Sequence, residues 1–140
     1  MGTFARLVAL TMIATGAAAQ DGDLTGKIAI ELNTVAETDG GCTLTFMVTN
    51  GHAVAVDQLV YETVLFDAAG QVDRLTLFDF GALPVGRPRV RQFAVPDVGC
   101  EGLGQVLFNG PHTCIAEGLE AGACAAGLVP TSRVEIEVVG

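Results

Sequence analysis

The sequence has no tryptophan, one tyrosine, two histidines and, in Ser132, a single serine. These shortages narrow the chemistry. No G-x-S-x-G elbow surrounds Ser132, which stands just before the last apolar alternation with no histidine or acid beside it. His52 and His112 each follow a turn signal, belong to no H-E-x-x-H pattern, and read as exposed loop histidines. Basic residues are also scarce. Seven Lys and Arg stand against 16 Asp and Glu, a net charge of −9, and a chain this acidic is repelled by phosphate backbones. Nucleic-acid binding is therefore not expected. Gly99, Gly102 and Gly104 flank Cys100, but no strand-loop-helix signal follows them to make a phosphate cradle. Half of the 140 residues are apolar and 16% are charged, which excludes a disordered chain and a coiled coil.

Residues 1–19 read as an export leader. Arg6 supplies the positive n-region, Leu7 to Thr15 a short uncharged apolar run, and Ala17-Ala18-Ala19 the small residues ahead of a cut before Gln20. The run is shorter than the roughly 20 residues a helix needs to span a membrane. No cysteine stands at the cut and no Arg-Arg pair precedes the run, so neither a lipoprotein signal nor the twin-arginine route has support. Loss of Arg6 leaves six basic residues and a net charge of −10 over residues 20–140, expected to form one domain without a membrane span. The expected location is the periplasm, or the medium as a secreted protein.

Four cysteines lie in that domain: Cys42, Cys100, Cys114 and Cys124. An even count behind a leader reads as two disulfides. The gaps of 57, 13 and 9 intervening residues suit neither a zinc site nor a C-x-x-C redox pair. No metal, cofactor or catalytic set is expected, and no enzyme.

Short apolar alternations between turn signals follow one another. They run Ile28-Ile30-Leu32, Leu44-Phe46-Val48 up to Asn50-Gly51, and Val56 to Phe66. After Asp67–Gly70 comes Val72 to Phe80; after Leu83–Gly86, Arg87 to Val95. Val106 to Phe108 ends at Asn109-Gly110-Pro111, and Val134-Ile136-Val138 closes the series. The segment from Cys114 to Gly127 is the one candidate helix, weakened by Gly118, Gly122 and Gly127. The pattern predicts an all-β fold, a two-layer antiparallel immunoglobulin-like β-sandwich of about seven strands, with a small barrel as the alternative. Phe46, Phe66, Phe78, Phe80, Phe93 and Phe108, one or two per strand, are its expected core. In such a sandwich the second and sixth strands face each other in the same direction. Cys42, which begins the second, then pairs with Cys100, which precedes the sixth, and Cys114 pairs with Cys124.

One constellation rises above this background. Arg87, Arg89 and Arg91 hold three of the six remaining basic residues within five positions. At i, i+2 and i+4 of a strand they would share a face over roughly 13 Å. Such a row can grip a small anionic ligand or an acidic partner. It can equally pair with Asp73, Asp79 or Glu62, or blunt a sheet edge against aggregation.

The run LVYETVLFDAAGQVDRLTLFDFGALPVGRPRVRQF, with the following Cys100 and VLFNG, resembles a group of small exported proteins of Gram-negative bacteria that have no assigned activity. The resemblance covers about Ile28 to Gly140 and implies an immunoglobulin-like fold and export, with no catalytic residue to carry over. Together these readings point to a disulfide-stapled binding module of the bacterial envelope, its partner another envelope protein or a small anionic ligand. The rivals are a periplasmic hydrolase with a loop-built site using His52, His112 and nearby acids, and a copper- or zinc-binding envelope protein using His52, His112 and Met47.

Overall fold

The computed structural model describes Gly2 and residues 22–140. Apart from Gly2, the leader read over 1–19 and the cut before Gln20 lie outside the described residues.

Eight strands form two four-stranded sheets that pack face to face. Strands β1 (Ile28–Thr38), β2 (Gly41–Asn50), β5 (Arg89–Val95) and β7 (Leu128–Ser132) make one sheet in the order β5-β2-β1-β7. Strands β3 (Val56–Asp67), β4 (Val72–Leu83), β6 (Leu103–Ile115) and β8 (Glu137–Val139) make the other, in the order β4-β3-β6-β8. The hairpins β1–β2 and β3–β4 each stay within a sheet, and the connections between β2 and β3, β4 and β5, and β5 and β6 cross between them. This is the connectivity of an immunoglobulin-type sandwich. The β1–β2 hairpin turns on Asp39-Gly40, whose φ values of 40° and 77° are the left-handed pair that matches strand twist in a two-residue loop. The β3–β4 turn is held by Asp67, whose Oδ1 accepts the N–H groups of Ala69 and Gln71.

Three expectations need correction. The seventh alternation, Val134-Ile136-Val138, pairs only at its end, and a strand that the pattern did not mark precedes it. The chain runs parallel beside β1 as β7, crosses to the other sheet through residues 133–136, and runs parallel beside β6 as β8. The strands therefore number eight, and the last two pairings are parallel. Ile136 and Val138 are buried in the core and Val134 packs against it, although residues 133–136 bend as they cross. Strand β6 does not stop at Asn109-Gly110-Pro111. It continues to Ile115 by shifting register against β3 at Val60/Tyr61 and Glu62/Thr63, bulges that absorb the proline without breaking the pair. A helix does occur in the Cys114–Gly127 segment, but only as one turn, α1 (Ala123–Ala126).

Phe46 stands at the centre of the core. Its ring centroid lies 5.9–6.0 Å from those of Phe78, Phe80, Phe93 and Phe108, in the tilted and edge-on arrangements that ring quadrupoles favour. Phe66 departs from the expected set: it falls on the other side of β3 from Leu65 and is only half-buried. Cys42 bonds to Cys100 and Cys114 to Cys124, the pairs expected from the strand order, with Cα separations of 4.9 and 6.5 Å. Two disulfides fit an oxidising compartment outside the cytoplasm. Among the described residues no helix is long and apolar enough to cross a membrane.

Candidate partner-binding face

The arginine row does not form the solvent-facing line that its spacing suggested. Arg87 lies ahead of β5 and is exposed. Arg89 and Arg91 lie in β5 on the same side as Phe93 and Val95, the side that turns toward the opposite sheet. Alternation leaves no choice here: burying Phe93 and Val95 carries every second residue inward. The guanidinium of Arg91 then reaches across the open edge of the sandwich. Its Nε donates to the carbonyl of Phe80 at 2.7 Å and its Nη2 to that of Ala82 at 3.0 Å. These bonds tie edge strand β5 to edge strand β4 and cap two β4 carbonyls that would otherwise be open to another strand. Arg89 donates to the carbonyl of Pro88. Among the described residues the ion pairs are Arg74–Asp73 and Arg133–Glu31, so the row pairs with none of Asp73, Asp79 and Glu62.

The other chemistry-bearing residues are dispersed. His52 is buried rather than exposed. Its backbone N–H donates to Asn50 Oδ1, and its Nε2 has no hydrogen-bond partner. The turn at Asn50-Gly51 folds inward because Asn50 is itself buried, its Nδ2 donating to the carbonyls of Val54 and Leu83. His112 is exposed on β6, while Met47 lies half-buried on β2 in the other sheet. Among the described residues no group of three or more His, Cys, Asp or Glu could hold a metal ion. Ser132 fastens the crossover, its hydroxyl 3.1 Å from the carbonyl of Val134 and 2.6 Å from that of Ile136. Tyr61, the one tyrosine, donates its hydroxyl to the carbonyl of Cys124 at 2.6 Å, and burial pushes its phenol well above the usual value.

A different surface emerges on the outside of the β4-β3-β6-β8 sheet. Along β3, Leu59, Tyr61 and Leu65 point into the core, so Val60, Glu62 and Val64 point out. Val64 is paired with Leu75 on one side and Leu107 on the other, and Leu107 with Val139. One aliphatic row thus crosses all four strands, with Val64 buried and Leu107 and Val139 half-buried. It is widest at edge strand β4, where Leu75 and Leu77 are 63% and 49% exposed. Beside it lies a shallow depression of about 290 Å³ bordered by Leu75, Leu77, Glu62 and His112. Glu62 is oriented there by the side-chain amide of Asn109, 2.7 Å away. The outer face of an antiparallel sheet usually reads as polar, so this row is the departure. The signal for it was the pair Leu75 and Leu77, whose parity opposes that of Phe78 and Phe80.

No protein-family model matches the chain, and no curated protein matches it. Among solved structures the chain is similar to IrmA from Escherichia coli, at 15% identity and a TM-score of 0.57, over 74% of this chain and 90% of that one. At that identity the likeness is one of fold, and it places this sandwich beside one found in a Gram-negative bacterium.

Proposed function

We propose that this chain is an exported, disulfide-stapled β-sandwich of the bacterial envelope that works by binding a partner protein across the outer face of the β4-β3-β6-β8 sheet. The exposed leucines Leu75 and Leu77, at the β4 end of the aliphatic row Leu75–Val64–Leu107–Val139, carry the reading, because exposed apolar surface on a folded domain marks interaction sites. The leader over 1–19, the two disulfides and the resemblance to small exported proteins support the envelope location. A small anionic ligand is less favoured as the partner, since Arg91 is already committed to main-chain carbonyls.

Burying the exposed parts of Leu75 and Leu77 is worth about 1 kcal/mol each. Affinity capture from envelope extract with the wild-type chain and with Leu75→Ser/Leu77→Ser tests the proposal. Capture of a defined partner should weaken by roughly tenfold or more in the variant, while an Arg87→Ser/Arg89→Ser variant keeps it. Equal capture by the leucine variant, or loss confined to the arginine variant, sinks the proposal.

A further inference from the structure

The strongest unassigned feature lies at the end of the sandwich that holds the Cys42–Cys100 bridge. A cleft of about 550 Å³ opens there between the end of β1, the 3-10 turn Cys100–Gly102, the start of β6 and the β7–β8 crossover. That volume falls within the range of small-molecule sites. Its apolar lining includes Val35, Leu103, Val134 and Ile136; Leu103 and Ile136 are buried, and Val35 and Val134 pack against the core. Two carboxylates, Glu101 and Glu135, line it as well, and both are exposed. Among the described residues neither makes an ion pair or a hydrogen bond, and none of those lining the cleft is basic. The nearby guanidinium of Arg133 is taken by Glu31 at 3.0 Å.

Both carboxylates sit on fastened backbone. The turn carrying Glu101 is anchored by the Cys42–Cys100 bridge and by Glu37, whose Oε1 accepts the N–H of Cys100 at 2.6 Å. The crossover carrying Glu135 is held by the Ser132 hydroxyl against the carbonyls on either side of it, those of Val134 and Ile136. Backbone held in this way fixes the points from which the two side chains extend. An apolar floor beneath two unpaired carboxylates complements one chemistry: an aliphatic or aromatic body bearing a positive charge. We infer that this cleft binds a small amphiphilic organic cation, an amine or quaternary ammonium whose apolar body rests on the half-buried Val35 and Val134 and whose charge is met by Glu101 and Glu135. The site stands apart from the β4 face, so either can fail without the other.

The test uses 2-phenylethylammonium as the probe, with 2-phenylethanol as its neutral counterpart, in an amide-resonance titration of the oxidised protein. The expected result is saturable shifts at Val35, Leu103 and residues 134–136, and affinity for the ammonium several-fold above that for the alcohol. Glu101→Gln/Glu135→Gln should lower affinity by about three- to tenfold, the range for partly screened pairs. Glu117→Gln/Glu120→Gln removes the same charge at the opposite end of the sandwich and should leave affinity unchanged, which separates the cleft from the general attraction of an acidic protein for cations. Equal affinity for the alcohol, equal losses in the two double variants, or no shifts at the cleft at millimolar probe overturns the inference.

Discussion

Replacing Tyr61 by Phe removes one oxygen from the middle of the sandwich and leaves the ring packing in place. The hydroxyl it deletes donates to the carbonyl of Cys124, 63 residues away, and both residues are almost wholly buried. That carbonyl would then lack its side-chain donor in a dry setting, which costs about 1–3 kcal/mol. For a domain of this size that is a fall in Tm of roughly 3–10 °C. The effect also has a pH signature. Burial raises the folded-state pKa of Tyr61 above the ordinary 10.0 of a tyrosine. Above about pH 10 the phenol ionises in the unfolded chain but not in the folded one, so the wild type loses stability as pH rises past the ordinary value and keeps the full contribution below it. The Phe variant lacks that loss, and the other titrating groups are common to both chains. Urea unfolding by far-ultraviolet circular dichroism should therefore show a gap between wild type and Tyr61→Phe that is largest near neutral pH and narrows toward about pH 11. Amide exchange in Ala123–Ala126 should speed up in the variant, because the hydroxyl pins that turn. Equal midpoints at neutral pH, or a gap that widens with alkalinity, would refute the reasoning.

Arg91→Ala should destabilise by about 1–3 kcal/mol through loss of its charged hydrogen bonds to Phe80 and Ala82, whereas exposed Arg87→Ala should stay within about 0.5 kcal/mol; equal effects in denaturant unfolding would contradict the inward placement of the row. Replacing both Cys42 and Cys100 by Ala should cost more than replacing both Cys114 and Cys124, about 4 against about 3 kcal/mol, because their sequence separation is 58 rather than 10; calorimetry decides the order. Asn50→Ala should cost about 2–4 kcal/mol, since it strips partners from the carbonyls of Val54 and Leu83 and the N–H of His52, and a thermal melt within 1 °C of wild type would speak against its role. The Glu31 carboxyl is held below its ordinary value by the Asn33 amide, with Arg133 adding to it. Its contribution is present above the ordinary carboxylate pKa and fades as pH falls through the folded value, so Glu31→Gln should narrow the stability gap between neutral and acidic pH in urea melts.

Much of this architecture could be read directly. The apolar alternations located the strands because one face of each is buried and successive side chains point to opposite faces. The cysteine pairs followed from which strands share an end of a sandwich. The surface was harder. The arginine spacing was visible, and so was the parity of Phe93 and Val95 with Arg91, but local spacing does not say which face is the core face until a burial demand is weighed against a charge. The placement of His52 failed for a related reason. Asn50-Gly51 carries a turn signal, and a turn signal does not reveal that Asn50 folds inward to satisfy two carbonyls.

Length, patterning, charge and cysteine spacing on their own specified a two-sheet shell with an aromatic centre and two bridges, because those properties follow from side-chain periodicity and chain connectivity. Three features needed the assembled fold: the aliphatic row across four strands, the reach of Arg91 to β4, and the cleft with Glu101 and Glu135. Each joins residues far apart in the chain, such as Leu75 with Val139 or Glu101 with Glu135, and only strand register and the crossover between sheets bring them together. Register is a long-range property, set by packing the whole core at once, and no local window of sequence contains it.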